Sequence, residues 1–114
     1  MSFGGKSLTK ADEARRTAIH AGNCRACEQR GIDLTGQGLV QWHHLKGRKR
    51  HDLTIGLCYW HHQAGLFWGH SHEEMRDHYG PSLAEGSKPF HDEFGSDDEL
   101  LAAQNRLLEG AKAA

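Results

Sequence analysis

The chain has 114 residues, room for one domain with a modest core that gains from a structural metal. Lysine and arginine (14) nearly balance aspartate and glutamate (15), and a formal net charge of -1 excludes global steering toward nucleic acid, leaving any such contact to a local patch. No apolar run approaches the ~20 residues of a membrane span, and the start Met1-Ser2-Phe3-Gly4-Gly5-Lys6 lacks a signal peptide's apolar core. No membrane contact is therefore expected, and the reducing cytoplasm is the expected compartment.

Ten histidines exceed what core and surface use predict and point to metal ligation or proton transfer. Three cysteines are an odd number for a disulfide framework, and in a reducing compartment cysteines are more often metal ligands.

Residues 1–8, rich in Gly, Ser and Lys, are expected to be flexible. Thr9 with Asp12 offers a capping box for a helix over 10–21, ended by Gly22. Ala11, Ala14, Ala18 and Ile19 give it a thin apolar stripe, and Lys10, Arg15 and Arg16 are expected to stay solvated. In Cys24-Arg25-Ala26-Cys27 both thiolates can reach one tetrahedral ion at ~2.3 Å. A redox pair would want a thioredoxin-type strand-to-helix setting, which is absent. Cys58-Tyr59-Trp60-His61, about thirty residues on, instead completes a Cys3His set for a structural zinc.

After a turn-rich stretch over 31–38, residues 39–45 read as a strand. Adjacent histidines on a strand point to opposite faces, so of His43 and His44 one can hold a metal while the other handles a proton or locks into the core. The loop 46–52 carries Lys46, Arg48, Lys49 and Arg50, the candidate phosphate contacts. Residues 53–57 read as the returning strand, with Cys58 at its end and a helix from about Tyr59. On that helix His62 leaves from another side than His61, so this pair splits between two metals.

Gly65 and Gly69 make 63–70 irregular, despite Leu66-Phe67-Trp68. Ser71 and Glu74 box the start of a helix over 72–79 that shows Met75 and Tyr79 on one face and stops at Gly80-Pro81. Ser87 opens another, with Phe90 and Phe94 as its buried face, closed by Gly95. Ser96 with Glu99 caps the last helix, and Leu100, Leu101, Gln104, Leu107 and Leu108 follow at helical spacing before Gly110. The domain is expected over 9–110, with a flexible tail over 111–114.

In this order the residues resemble an HNH (ββα-metal) endonuclease. His43-His44 stands where those enzymes carry Asp/His-His, His62 stands at their helix histidine, and Leu57-Cys58-x-x-His61-His62 is similar to their Leu-Cys-x-x-Cys-His. More narrowly, three stretches resemble the phage Ref family of RecA-dependent recombination-enhancement nucleases, a likeness that covers about residues 8–108. They are His43-His44-Leu45-Lys46-Gly47-Arg48, the Ile-Gly-Leu-Cys-x-Trp-His-His of 55–62, and the downstream Gly80-Pro-Ser-Leu-Ala, Gly86-Ser-Lys-Pro-Phe90, Phe94-Gly95 and Leu100-Leu101.

The resemblance implies an α+β fold, a small zinc-stabilised HNH or treble-clef-like ββα-metal core with flanking helices. It implies a metal-dependent DNA endonuclease that cleaves or nicks phosphodiester bonds in recombination, with DNA and the RecA filament as partners, in a bacterial host or encoded by its phage. Position by position, His43 and His62 would hold a catalytic divalent ion (Mg2+ or another), His44 would be the general base, and Cys24, Cys27, Cys58 and His61 would hold structural Zn2+. The family's middle Asn has no counterpart here, Asp52 or His51 being nearest. A second helix histidine would fall on Leu66, so a third ligand would come from His70, His72, His91 or water. Some Ref proteins also carry a long basic N-terminal arm, whereas this chain has few residues before its first helix. Two other readings share these residues: a non-catalytic zinc module that binds DNA or protein, and an HNH nuclease of phage packaging or restriction.

Overall fold

A computed structural model describes residues 8–113, with side chains as far as Gly110; the expectations for residues 1–7 and 114 lie outside the described residues. The fold grows from a β-hairpin. Val40–His44 (β1) and Thr54–Cys58 (β2) pair antiparallel, with Val40 opposite Cys58, Trp42 opposite Gly56 and His44 opposite Thr54. Alternation along β1 puts Val40, Trp42 and His44 on one face and Gln41 and His43 on the other.

The first face is covered by a helix, Lys10–Ala21 (α1), which starts in the expected Thr9–Asp12 capping box and ends at Gly22. Gly56 makes the close approach possible. A Cβ there would lie 2.9 Å from Val40 Cγ1 and 3.2 Å from Ile19 Cγ2, so a side chain would drive α1 off the strands. Ile19 is the α1 residue that enters the core. The alanine stripe does not pack inward: Ala11, Ala14 and Ala18 line an open groove with Leu108 near the end of the last helix.

Arg15, expected to be solvated, is half-buried and committed. Its Nε donates to Thr54 Oγ1 (2.9 Å), Nη2 to the Thr54 carbonyl (2.6 Å) and Nη1 to Asn105 Oδ1 (2.9 Å). The reason is its position opposite the first residue of β2, where a fork of donors satisfies groups that the hairpin leaves free. Arg16 stays exposed but lies over the Trp42 ring, 5.7 Å from its centroid.

The remaining elements gather around β2 and the helix that follows it. Cys24 caps a short helix, Arg25–Gln29 (α2), and Cys58 caps Tyr59–Gln63 (α3), each thiol accepting from the backbone N–H three residues on. Trp60 of α3 is wholly buried; its Nε1 donates to the Gly80 carbonyl (2.9 Å), and Ser82 Oγ donates to the Trp60 carbonyl (2.6 Å). These bonds tie α3 to the end of His72–Tyr79 (α4), which buries Met75 and Tyr79 as its periodicity predicts, and to a 3-10 turn at Leu83–Glu85. Ser87–Phe94 (α5) buries Phe90 and Phe94.

Asp97–Ala113 (α6) begins in the Ser96–Glu99 box and buries Leu100 and Gln104, whose Oε1 accepts from the Gly56 N–H at 2.9 Å. It runs through Gly110 to Ala113, past the expected stop, because a single glycine costs only about 1 kcal/mol in a helix. Leu107 of the leucine stripe is exposed.

The class is thus the expected mixed one: six α-helices around a two-stranded sheet among the described residues. Strand bounds differ from expectation by one residue, and α2 and the 3-10 turn carry no sequence signal beyond their turn-forming residues. None of the described helices is long and apolar enough to cross a membrane. The packing at Gly56 makes a prediction: Gly56→Val should lower stability by about 1–3 kcal/mol through overpacking, read as a fall in melting temperature, and an unchanged melt would mean that α1 does not seat on the hairpin as described.

Candidate metal centre and histidine site

Two chain segments meet where the first knuckle, Cys24 to Cys27, faces the end of β2 and the start of α3. Cys24, Cys27, Cys58 and His61 are each fully buried, and their donor atoms all lie within 4.8 Å of one another. His61 Nδ1 stands 3.4, 3.6 and 3.3 Å from the sulfurs of Cys24, Cys27 and Cys58, and the Cys27 and Cys58 sulfurs are 3.8 Å apart. A tetrahedral zinc with bonds of about 2.3 Å to sulfur and about 2.0 Å to nitrogen would have edges of about 3.5 to 3.8 Å, so the donor set fits.

The His61 tautomer fits as well. Its Nε2 lies 2.7 Å from the Tyr79 carbonyl, which can only accept, so Nε2 carries the hydrogen and Nδ1 turns a lone pair to the three sulfurs. The rings of Tyr79, Phe90 and Phe94 surround His61 edge-on. Burial alone would raise the Cys24 thiol, but hydrogen bonds from Cys27, Cys58 and His61 hold it well below its usual range, while Cys58 is pushed up to about 12 by its bond with Cys24 and by burial. The cluster could hold a metal ion, consistent with zinc.

Four of the histidines outside this set form two groups, one on each face of β1. On one face His43 meets His62 of α3, their ring centroids 4.8 Å apart. His62 Nδ1 donates to Gln41 Oε1 (2.7 Å), which leaves its Nε2 lone pair free. Burial, then the His62 charge, pushes His43 down to about 4, and burial lowers His62. Both rings are therefore neutral near pH 7, the form that ligates metals. The charges of Asp97 and His91 also bear on His43, and His91 Nε2 lies 3.5 Å from Asp97 Oδ1. Of the other third-ligand candidates, His70 packs against His78 and His72 stands edge-on to Trp60.

On the opposite face His44 Nε2 lies 3.0 Å from His51 Nδ1, and the Trp42 ring packs against both imidazoles. His44 is lowered by burial, then by the charges of His51, Arg48 and His62. Asp52 turns away to an exposed ion pair with Arg50 (2.9 Å). The loop's Lys46, Arg48 and Lys49 are exposed, with no salt bridge among the described residues.

Two residues that shape this site escape a reading of the sequence. Gln41 could have been found by alternation, being two residues before His43 on one strand. Thr54, the cross-strand neighbour of His44, could not, because pairing register is set by a loop whose length does not specify it.

A family described as recombination enhancement, RecA-dependent nuclease matches residues 9–109. The chain belongs to this family. No curated protein matches it. The family's description makes its members nucleases tied to recombination and to RecA, and the match takes in the hairpin, both histidine groups and the buried Cys3His cluster. For this member of the family, Cys24→Ser or Cys58→Ser should remove one equivalent of bound metal and most of the cooperative thermal transition, since metal binding in so small a domain is folding energy. Metal analysis paired with a melt checks this; a Cys24→Ser protein that keeps its full metal content and melt would dismiss the cluster as a metal site.

Proposed function

We propose that this chain is a metal-dependent DNA endonuclease of HNH type, Ref-like and phage- or host-encoded, which cleaves or nicks phosphodiester bonds in the bacterial cytoplasm on DNA presented by a RecA filament. In this reading Cys24, Cys27, Cys58 and His61 hold a structural Zn2+, and His43 and His62 hold a catalytic divalent ion, Mg2+ or another. His44 is the general base, and Lys46, Arg48, Lys49 and Arg50 contact the DNA backbone. The observation that carries it is the pairing of His43 with His62, two half-buried neutral imidazoles outside the Cys3His set, at the strand that also ends in His44. A module that only bound DNA would have no use for them.

A bound divalent ion would neutralise charge on the scissile phosphate and the departing oxygen. The chain's own residues do the rest. The paired imidazoles of His43 and His62 supply the nitrogens, and Gln41 fixes the His62 ring by accepting its Nδ1–H. Among the described residues no third His, Cys, Asp or Glu donor joins His43 and His62 in a metal-sized group, so water is taken as the third ligand. His44 leaves the other face of β1 at its last position, where it takes the proton from the attacking water; its lowered proton affinity keeps it neutral at pH 7.

In cleavage assays His44→Ala should lose about 10²–10⁴ in rate with metal content, fold and DNA affinity kept, because only proton transfer is removed. His62→Ala should be as inactive and should also need more divalent ion, seen as a shifted metal-activation curve. Wild-type cleavage by both variants would hand the site to a binding role.

A separate measurement addresses the loop. Replacing Lys46, Arg48 and Lys49 by Ala should flatten the log–log salt dependence of duplex binding by about 0.9 for every phosphate that is no longer neutralised. Arg50→Ala should add less, since Arg50 already pairs with Asp52. An unchanged slope would move the DNA-binding surface elsewhere.

A further inference from the structure

We infer that His51 is the positioning residue for His44, holding its imidazole with hydrogen on Nε2 and the lone pair on Nδ1, and that Thr54 and Arg15 hold His51 in place from beneath. The inference rests on the general-base reading of His44 and names the groups that make the base competent.

His44 is the last residue of β1, where the chain passes into an exposed basic loop, and the strand offers its ring packing from Trp42 but no hydrogen bond among the described residues. The fixing comes from across the hairpin. Two imidazole nitrogens 3.0 Å apart must share one hydrogen, and two arrangements are possible. If His51 Nδ1 donated to His44 Nε2, the remaining hydrogen of neutral His44 would sit on Nδ1 and no nitrogen would be left to accept a proton from water. If His44 Nε2–H donates to His51 Nδ1, Nδ1 of His44 is free to accept. When it does, the new charge spreads over both nitrogens and the Nε2–H bond to His51 strengthens, as for any catalytic histidine whose second nitrogen is held by an acceptor.

The acceptor is itself anchored. The Trp42 ring lies stacked on His51, with centroids 5.3 Å apart and planes 21° apart, and Arg16 covers Trp42 in turn. Thr54 Oγ1 donates to the His51 carbonyl (2.9 Å) and accepts from Arg15 Nε (2.9 Å). Thr54 is fully buried, and Arg15 is tied both to its carbonyl and to Asn105 of α6. A path of hydrogen bonds therefore runs from the helices through Thr54 and His51 to His44, while neighbouring Arg50 and Asp52 face solvent and pair with each other. A histidine serving only the turn would need the Thr54 bond but not the aimed ring.

The test uses two substitutions in the full-length protein. His51→Phe keeps a ring to stack on Trp42 and removes the acceptor. His51→Asn puts an oxygen at the same number of bonds from Cα as Nδ1. Three readouts are taken: kcat and KM for DNA cleavage, metal content with melting, and the ¹⁵N signature of the His44 tautomer in ¹⁵N-histidine-labelled protein. The expected result is a kcat about 10- to 100-fold lower for His51→Phe with KM, metal and melt kept, a His44 signal that changes from the Nε2–H form to a mixture, and recovery of most of kcat in His51→Asn. A wild-type His44 in the Nδ1–H form, or a His51→Phe protein with wild-type kcat, overturns the positioning role. His44→Ala measured alongside separates the two ideas: if it is inactive and His51→Phe is not, positioning alone falls, and if it cleaves normally, the base reading falls and positioning with it.

Discussion

Four metal donors buried together out of reach of solvent are the constraint on which the rest depends. Cys24, Cys27, Cys58 and His61 come from segments about thirty residues apart, and a cluster of thiols at zero exposure is tolerable only if an ion or a tight hydrogen-bond network takes the place of solvation. Satisfying that cluster pins the knuckle to the hairpin end. Cys58 closes β2 and caps α3 at once, so α3 has no freedom to rotate against the strands. His62 follows His61 directly, and its ring is thereby aimed at His43. The Cys3His cluster and the histidine pair are parts of one mechanical arrangement, in which the cluster sets the angle at which His62 meets His43.

The hairpin then sorts chemistry by face. Alternation alone separates His43 from His44, but what each face packs against gives them different surroundings. The His43 face meets α3 and lies near His91 and Asp97, and burial keeps its imidazoles neutral. The His44 face meets α1 and the Trp42–His51 stack, where hydrogen bonds orient a ring that is only partly buried. The two faces of one strand thus hold the His43–His62 pair and the His44–His51 pair without their competing for the same neighbours.

Much of this is legible in the amino-acid order, for identifiable reasons. The Cys3His spacing is a local signal whose geometry follows from thiolate reach, and the capping boxes at Thr9, Ser71 and Ser96 mark helix starts through bonds spanning three residues. Arg15 departs from expectation because helix periodicity places it beside solvated charges, whereas its fork is used by Thr54 and Asn105, 39 and 90 positions away. The alanine stripe departs for the opposite reason: small apolar residues satisfy the pattern of a buried face without filling one, and α1 leans on Ile19 instead. His51 sits in a basic loop, where the sequence alone leaves it beside Asp52 as the nearest counterpart of the family's middle Asn. Only the pairing of His44 with Thr54 brings the His51 ring to His44, and register is a property of two strands that neither one spells alone.

The charge balance bears on why such a nuclease would depend on another protein. A net charge of -1 gives no long-range attraction to DNA, and the hairpin loop offers three exposed cations beside an arginine already paired to Asp52. Three neutralised phosphates release roughly three counterions, a small electrostatic share beside the six to ten of a protein that finds DNA unaided. Affinity that low is a defect in an enzyme that must locate its own substrate and an advantage in one that must stay idle until a substrate is presented. A RecA-dependent family is the second kind by its own description. Under the proposed function the filament's grip on the strands supplies the energy for binding, and the hairpin need only present His44 and the His43–His62 pair to a phosphate once it arrives.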